Sequence, residues 1–303
     1  MIVVRLWGGL GNQMFQYSFG YAMAKRTGEE LFLDTRFYTD QFIKKNPHFS
    51  KQLPNILTFP LVYKKQMNAS GELKFICLLQ KRMISRLIRI PTKFEITADK
   101  GIQYIKETRL NLYQRYIDNP ITDSYYDGYW QSEEYFKEYK DEILKQYWFI
   151  DDDISGVIEK EELDDKNTVS VHLRFGDYGK KRMLGPYYNY VISPQYYLLA
   201  MDEIQKRIRM PRFYVFSNDI ERAKELIGCR FKYTLVNEDR KLSDIQEFII
   251  MSKCHNHIIS NSTFSWWAAW LNDKGITIAP DLRFGNERII PQQWIKISMS
   301  LCS

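Results

Sequence analysis

From Thr168 onward, short runs of β-branched and aromatic residues alternate with stretches of helical periodicity, and few folds accommodate that pattern. Strands are predicted at 168–173, 212–217, 231–236, 256–260 and 276–279, with helices at about 194–209, 219–227, 243–253 and 263–272. Pro194 and Asp219 stand where helices should start. Strands separated by helices cannot pair as hairpins, so the expected product is a parallel sheet covered by helices on both faces. In such sheets ligands gather at the carboxyl ends of the strands, which directs attention to the residues that follow each one.

The chain begins in the same style. Ile2 to Leu6 reads as a strand, Gly8-Gly9-Leu10-Gly11 as a turn, and Leu31 to Asp34 as a second strand. Between them Met14, Phe15, Tyr17, Phe19, Ala22 and Met23 form a broad apolar helical face that Gly28 ends. Tyr125 to Trp130 suggests a further strand, followed by a charged helix around Glu133 to Gln146. An acidic, apolar-poor run from Asp151-Asp152-Asp153 to Lys166 separates the two α/β regions. The boundary is placed there, giving domains 1–155 and 156–303, and two Rossmann-like halves facing across a cleft are the economical arrangement.

Composition narrows the function. A chain of 303 residues with 45% hydrophobic and 15% aromatic content can build two cores and is not disordered. A net charge of +6 without a basic tail favours an anionic ligand or a membrane surface over nucleic acid. The cysteines Cys77, Cys229, Cys254 and Cys302 form no CxxC pair and read as reduced thiols of a cytoplasmic protein. With four histidines and no HExxH, no zinc site is expected. The chain shows neither an apolar leader nor a membrane-spanning run. Residues 36–120 are broken by Pro47, Pro54, Pro60 and Pro91. Within them, Leu73 to Ile90 reads as a basic amphipathic helix, either with its charged face in water or docked on an anionic membrane.

Four clusters at strand ends carry candidate chemistry. In the first, the glycines of Gly8-Gly9-Leu10-Gly11 let backbone amides approach an anion, and Asn12-Gln13 add groups suited to phosphate or sugar hydroxyls. Met14 stands where a dinucleotide fingerprint needs its third glycine. The second is His172-Leu173-Arg174-Phe175-Gly176-Asp177-Tyr178, in which Arg174 either grips a phosphate with its planar fork or pairs with Asp177 to tie down a loop. The third, Ser217-Asn218-Asp219, either caps the next helix or bonds a nucleobase or ribose. The fourth, Ser260-Asn261-Ser262-Thr263-Phe264-Ser265, precedes Trp266-Trp267 and offers more small polar residues at a helix start than capping alone requires. A DxD pattern at Asp151–Asp153 falls in the acidic linker and reads as solvated charge, so no metal site is assigned.

Taken together, GGLGNQMFQYSFGYA at the start, GYWQSE at 128–133, VSVHLRFGDY at 169–178, FSND at 216–219 and SNSTFSWWAAWL at 260–271 resemble the bacterial α-1,2-fucosyltransferases of glycosyltransferase family eleven. The resemblance implies a GT-B-like fold and an inverting, metal-independent transfer of fucose from GDP-β-L-fucose to the 2-hydroxyl of a terminal β-galactoside. No cofactor is implied, since GDP-fucose is a substrate. It places His172 on the ribose or guanine side and Arg174 on the β-phosphate. Ser217, Asn218 and Asp219 go to the base and ribose, and Asn261, Ser262, Thr263 and Phe264 to phosphate oxygens. Gly11 and Asn12 lie near pyrophosphate and fucose, while Tyr129, Trp130 and Gln131 take the acceptor side. Asp177 is the nearest general base in sequence. Where the family commonly carries two adjacent arginines, this chain has Arg174 followed by Phe175, so Arg174 acts alone or is helped by Lys180, Lys181 or Arg182. Two other readings stay open: a dehydrogenase using the first βαβ unit, and a non-catalytic glycan-binding protein with Tyr and Trp platforms.

Overall fold

The structure, a computed structural model, describes residues 1–34, 103–107, 117–147, 161–175, 192–239, 241–272, 274–281 and 289–298. It divides into two compact units, Met1–Trp148 and Phe149–Ser303.

In the first unit, β1 (Ile2–Arg5), β2 (Leu31–Asp34), β3 (Gln103–Lys106) and β4 (Ser124–Asp127) form a parallel sheet in the order β2-β1-β4-β3. Ile2 pairs with Leu31 on one side and Ser124 on the other. The connection from β1 to β2 is α1 (Leu10–Thr27), buried on nearly every face from Leu10 to Ala24. Its polar residues sit in that core too. Gln13 donates through Nε2 to Gly8 O at 3.3 Å, and Ser18 Oγ shares a 3.0 Å bond with Tyr147 Oη. Gly28 ends the helix in the left-handed region, as the sequence suggests.

The charged helix expected over 133–146 is only partly present. Glu133–Tyr135 and Lys137–Tyr139 are single 3₁₀ turns, and α2 starts at Lys140 and ends at Gln146. Tyr135 and Phe136 are both buried, Tyr135 at 5.1 Å from Phe19 and Phe136 at 6.1 Å from Phe15. Holding both neighbouring rings in the core overrides the helical spacing of the charges.

In the second unit, β5 (Thr168–Leu173), β6 (Arg212–Ser217), β7 (Tyr233–Leu235), β8 (Asn256–Ile258), β9 (Thr277–Asp281) and β10 (Ile295–Ser298) form a parallel sheet in the order β10-β9-β8-β5-β6-β7. The intervening helices are α3 (Pro194–Arg207), α4 (Ile220–Ile227), α5 (Asp244–Lys253) and α6 (Thr263–Asn272). Ser193 caps α3 with Pro194 in its first turn, Asp219 caps α4, and Ser243 with Gln246 closes a capping box on α5. The alternating strand–helix expectation therefore holds, and β10 adds a strand that the sequence did not signal.

Side chains fasten the amino-terminal edge of this sheet. Asn256 Nδ2 donates to Lys166 O at 2.8 Å and Thr168 O at 3.0 Å, while its Oδ1 accepts Ile276 N–H at 2.8 Å. Thr168 Oγ1 accepts His255 N–H at 2.9 Å, and Ser170 Oγ bonds His257 Nδ1 at 2.8 Å. The free thiols Cys229 and Cys254 lie in this unit, exposed and buried respectively.

Among the described residues no helix is long and apolar enough to cross a membrane. The stretch 73–90, Cys77, Cys302 and the Asp151–Asp153 run lie outside the described residues.

Candidate active site

Open parallel sheets bind ligands where the chain reverses its direction of travel. In the second unit it runs from β5 out to β6 and β7, then returns to β8 on the other side of β5. The loops leaving β5 and β8 diverge there, the position at which open α/β sheets bind ligands. His172, in β5, is buried, and its Nδ1 lies 2.9 Å from Ser260 Oγ just past β8. Burial, helped by the nearby Arg174 charge, drives the His172 pKa down to about 3, so the ring is neutral at physiological pH.

Arg174 follows immediately, half-buried, its N–H donating to Tyr197 Oη at 3.3 Å. The next peptide is clamped from β6. Phe175 N–H donates to Asn218 Oδ1 at 3.0 Å, and Asn218 Nδ2 donates to Phe175 O at 2.9 Å. Both ends of the Asn218 amide thus serve the Phe175 backbone. Asn218 holds the loop that carries Arg174. Phe175 is itself buried, and the Arg222 guanidinium lies 4.7 Å over its ring. Gly176, Asp177, Tyr178, Lys180, Lys181 and Arg182 are outside the described residues.

Ser217 and Asp219 are engaged locally. Ser217 Oγ donates to Asp219 O at 2.9 Å and accepts Asp219 N–H at 3.1 Å, while Asp219 Oδ1 accepts Arg222 N–H at 3.2 Å as the cap of α4. At the start of α6, Ser262 Oγ accepts Phe264 N–H at 3.3 Å, so one hydroxyl of the polar run is a cap. Asn261, Ser262, Thr263 and Phe264 are all half-buried, and Phe264 lies 5.9 Å from His172. Trp266, Trp267 and Trp270 point the other way, into the core.

In the first unit β1 and β4 are the central, neighbouring strands. Gly8, at φ +85°, turns the chain out of β1, and a Cβ there would meet Asn12 Nδ2 at 2.7 Å. Fully buried Gln16 joins the two loops: its Oε1 accepts Trp7 N–H at 2.9 Å, and its Nε2 donates to Gly128 O at 3.1 Å. Gln131 Nε2 donates to Asn12 Oδ1 at 2.9 Å, and the rings of Trp7 and Tyr129 lie 4.1 Å apart. Glu107 was not foreseen. Its Oε2 accepts Tyr129 N–H at 2.6 Å and Trp130 N–H at 3.2 Å, and burial raises its pKa against those two bonds. Gly128 permits this approach, because a Cβ there would meet Glu107 Cβ at 2.4 Å. Arg5 and Tyr104 both bond Asp127 Oδ2, at 3.0 and 2.7 Å. Asp34, the residue a dinucleotide-binding unit would offer to ribose, accepts instead from Tyr125 Oη at 2.6 Å inside the core.

Trp130, expected on an acceptor face, is a core residue. It is 0% exposed and stacks on Phe19 at 4.2 Å with 8° between the planes. Trp130→Ala is expected to destabilise the first unit by about 3–5 kcal/mol, the usual cost of emptying a large aromatic site. Urea unfolding should show the loss, and a variant with an unchanged midpoint would rule out this placement.

Amides, hydroxyls and an arginine gather at the carboxyl ends of the strands of parallel α/β sheets, where open sheets bind ligands. The comparisons with known proteins give the class. The profile of glycosyl transferase family 11 matches residues 1–298, and the chain belongs to that family. An Escherichia coli α-1,2-colitosyltransferase is 31% identical, over 98% of this chain and 99% of its own. The E. coli O-antigen biosynthesis glycosyltransferase WbnK is 27% identical, over 96% and 99%. Crystalline fucosyltransferase NodZ from Bradyrhizobium shares the fold at a TM-score of 0.53, with 14% identity over 94% of this chain and 95% of NodZ.

Among the described residues no group of three or more His, Cys, Asp or Glu side chains could hold a metal ion.

Proposed function

We propose that the protein is an inverting α-1,2-fucosyltransferase that moves L-fucose from GDP-β-L-fucose to the 2-hydroxyl of a terminal β-galactoside. Its product would be a bacterial surface glycan such as an O-antigen. Membership of family 11 carries the glycosyltransferase part of this reading, and a local similarity to the galactoside α-(1,2)-fucosyltransferase 1 of Homo sapiens, 31% identical over 34% of this chain, supports fucose as the sugar. The protein works in the cytoplasm, where the basic residues of the sequence 73–90 would attract an anionic inner-membrane face.

In this mechanism the acceptor O2 attacks the anomeric carbon opposite the departing GDP. The bond from that carbon to the phosphate oxygen breaks, and its electron pair leaves on the β-phosphate. Arg174 holds that phosphate with its planar fork. Asn261, the hydroxyls of Ser262 and Thr263, and amides of the first turn of α6 up to Phe264 receive the remaining oxygens without a metal. His172, neutral and engaged through Nδ1 by Ser260, presents its other nitrogen to the nucleoside. Ser217 and Asp219 border base and ribose, Gly11 and Asn12 face the fucose, and Tyr129 and Gln131 line the acceptor side. Asp177 takes the proton of the attacking hydroxyl.

A second reading, transfer of colitose, is favoured by the α-1,2-colitosyltransferase relative. Incubation with GDP-fucose or GDP-colitose and a panel of lactose, N-acetyllactosamine and lacto-N-biose, followed by linkage analysis, decides between them. Fucose on O2 is the expected product. Transfer of colitose alone selects the second reading, and linkage to another hydroxyl, or no transfer, overturns both.

A further inference from the structure

We infer that Glu107 is a positioning residue for the acceptor sugar: its carboxylate, at the end of β3, seats the turn at 128–131 that follows β4. This rests on the transferase reading above, which puts that turn on the acceptor side.

Strand register brings the two together. Lys106 pairs with Asp127 at the ends of β3 and β4, and Glu107 N–H continues the ladder onto Asp127 O at 3.0 Å. At the next step the side chain takes over from the backbone. A single oxygen, Oε2, accepts both Tyr129 N–H at 2.6 Å and Trp130 N–H at 3.2 Å. Two successive N–H groups converging on one oxygen form the kind of concavity in which a peptide backbone binds an anion. The turn needs such support, because Trp130 sits at φ +55°, where bulky side chains are rarely found. From α1, Gln16 Nε2 holds Gly128 O at 3.1 Å. Asp127, the neighbouring carboxylate, is committed to Arg5 and Tyr104.

The hold ends where the candidate chemistry begins. Gln131, the residue after Trp130, is half-buried and donates to Asn12 Oδ1 at 2.9 Å, in the loop after β1. Glu107 thus fixes the backbone from which Gln131 reaches the residue that the transferase reading sets beside the fucose. A backbone fixed before the acceptor arrives loses little freedom when it binds.

The test uses the whole protein, with GDP-fucose as donor and lactose, N-acetyllactosamine and lacto-N-biose as acceptors. Glu107→Ala should raise the acceptor KM about tenfold, the share of one charge-assisted hydrogen bond. Its affinity for GDP, measured by calorimetry, should match the wild type. Glu107→Gln should recover most of the acceptor affinity, because one amide oxygen can stand in for the one carboxylate oxygen that both N–H groups use. Amide exchange followed by NMR should find the Tyr129 and Trp130 N–H groups protected in the wild type and in Glu107→Gln. Should Glu107→Ala fail to fold, Gly128→Ala approaches the same contact from the other side. Its added Cβ would meet Glu107 Cβ at 2.4 Å, and the acceptor KM should rise in the same way.

An unchanged acceptor KM in folded Glu107→Ala, or in Gly128→Ala where that variant replaces it, overturns the positioning role. So does a Glu107→Gln that transfers as poorly as Glu107→Ala, since the charge and not the accepting atom would then be what counts. Free exchange of both amides in the wild type, or a loss shared equally by GDP and acceptor, overturns it as well. A wild type that transfers no sugar sinks the transferase reading and the acceptor role with it, even where the amides prove protected.

Discussion

Arg174→Ala is expected to lower transfer about 10²–10³-fold, the usual loss when one preorganised donor to a developing anion is removed. Arg174→Lys should recover little, because a point charge on a flexible stem cannot reproduce two parallel hydrogen bonds to phosphate. The loop itself should not move in either variant. Arg174 is held through its backbone by Tyr197, and Phe175 beside it by Asn218, none of which involves the guanidinium. The thermal midpoint should therefore stay close to the wild type while turnover and GDP affinity fall. The side chain also reports on its neighbour, since its charge helps to depress the His172 pKa. Proton NMR of Arg174→Ala should find that pKa higher than in the wild type. Near-wild-type transfer by either variant would remove Arg174 from the phosphate site.

Acid should unfold the second unit well before carboxylate protonation alone would. His172 and His257 are both buried and neutral, each with a folded pKa near 3 against 6.5 in the open chain. A depressed folded pKa means that the unfolded chain binds the proton first. The stability these rings contribute is therefore complete above pH 6.5 and is lost as the pH falls toward 3. Each histidine removes on the order of 1 kcal/mol per pH unit inside that window. Against a typical domain stability of about 5–15 kcal/mol, this is a large share of the total. Urea titrations at pH 7.5, 6 and 5 should show a falling midpoint. Glu107, whose pKa is raised, works in the opposite sense in the first unit, so the two units should respond differently to acid. Equal midpoints for the second unit at all three pH values would contradict the burial of these rings.

The second unit was the more legible half because its strands are buried on both faces. β5 and β6 are apolar and aromatic runs with polar residues at their ends, and helix starts are marked by Ser193-Pro194, Asp219 and Ser243. β3 and β10 escaped notice because their four residues each are exposed or half-buried, which leaves no apolar run to read. Glu107 was hidden with β3, and it matters only because the fold brings it to the turn after β4. Arg174 and the α6 polar run could be found from position alone. The clamp that Asn218 places on Phe175 could not be read from sequence, since nothing in the chain order says that the loop after β5 packs against the end of β6. Trp130 misled for a related reason: two adjacent aromatics in a turn must point in different directions, and sequence does not say which one is outside.

The bonds that Asn256, Thr168 and Ser170 make at the amino-terminal edge of the second sheet have a bearing on how such a protein diversifies. They set strand register from the end opposite the catalytic loops, so substitutions in those loops leave the alignment of the strands untouched. A lineage can then exchange one sugar for another by altering loops while inheriting the same frame. Random mutagenesis should find the residues at the two ends of β5 and β8 unequal in tolerance: unforgiving at Asn256, permissive in folding around Asn261.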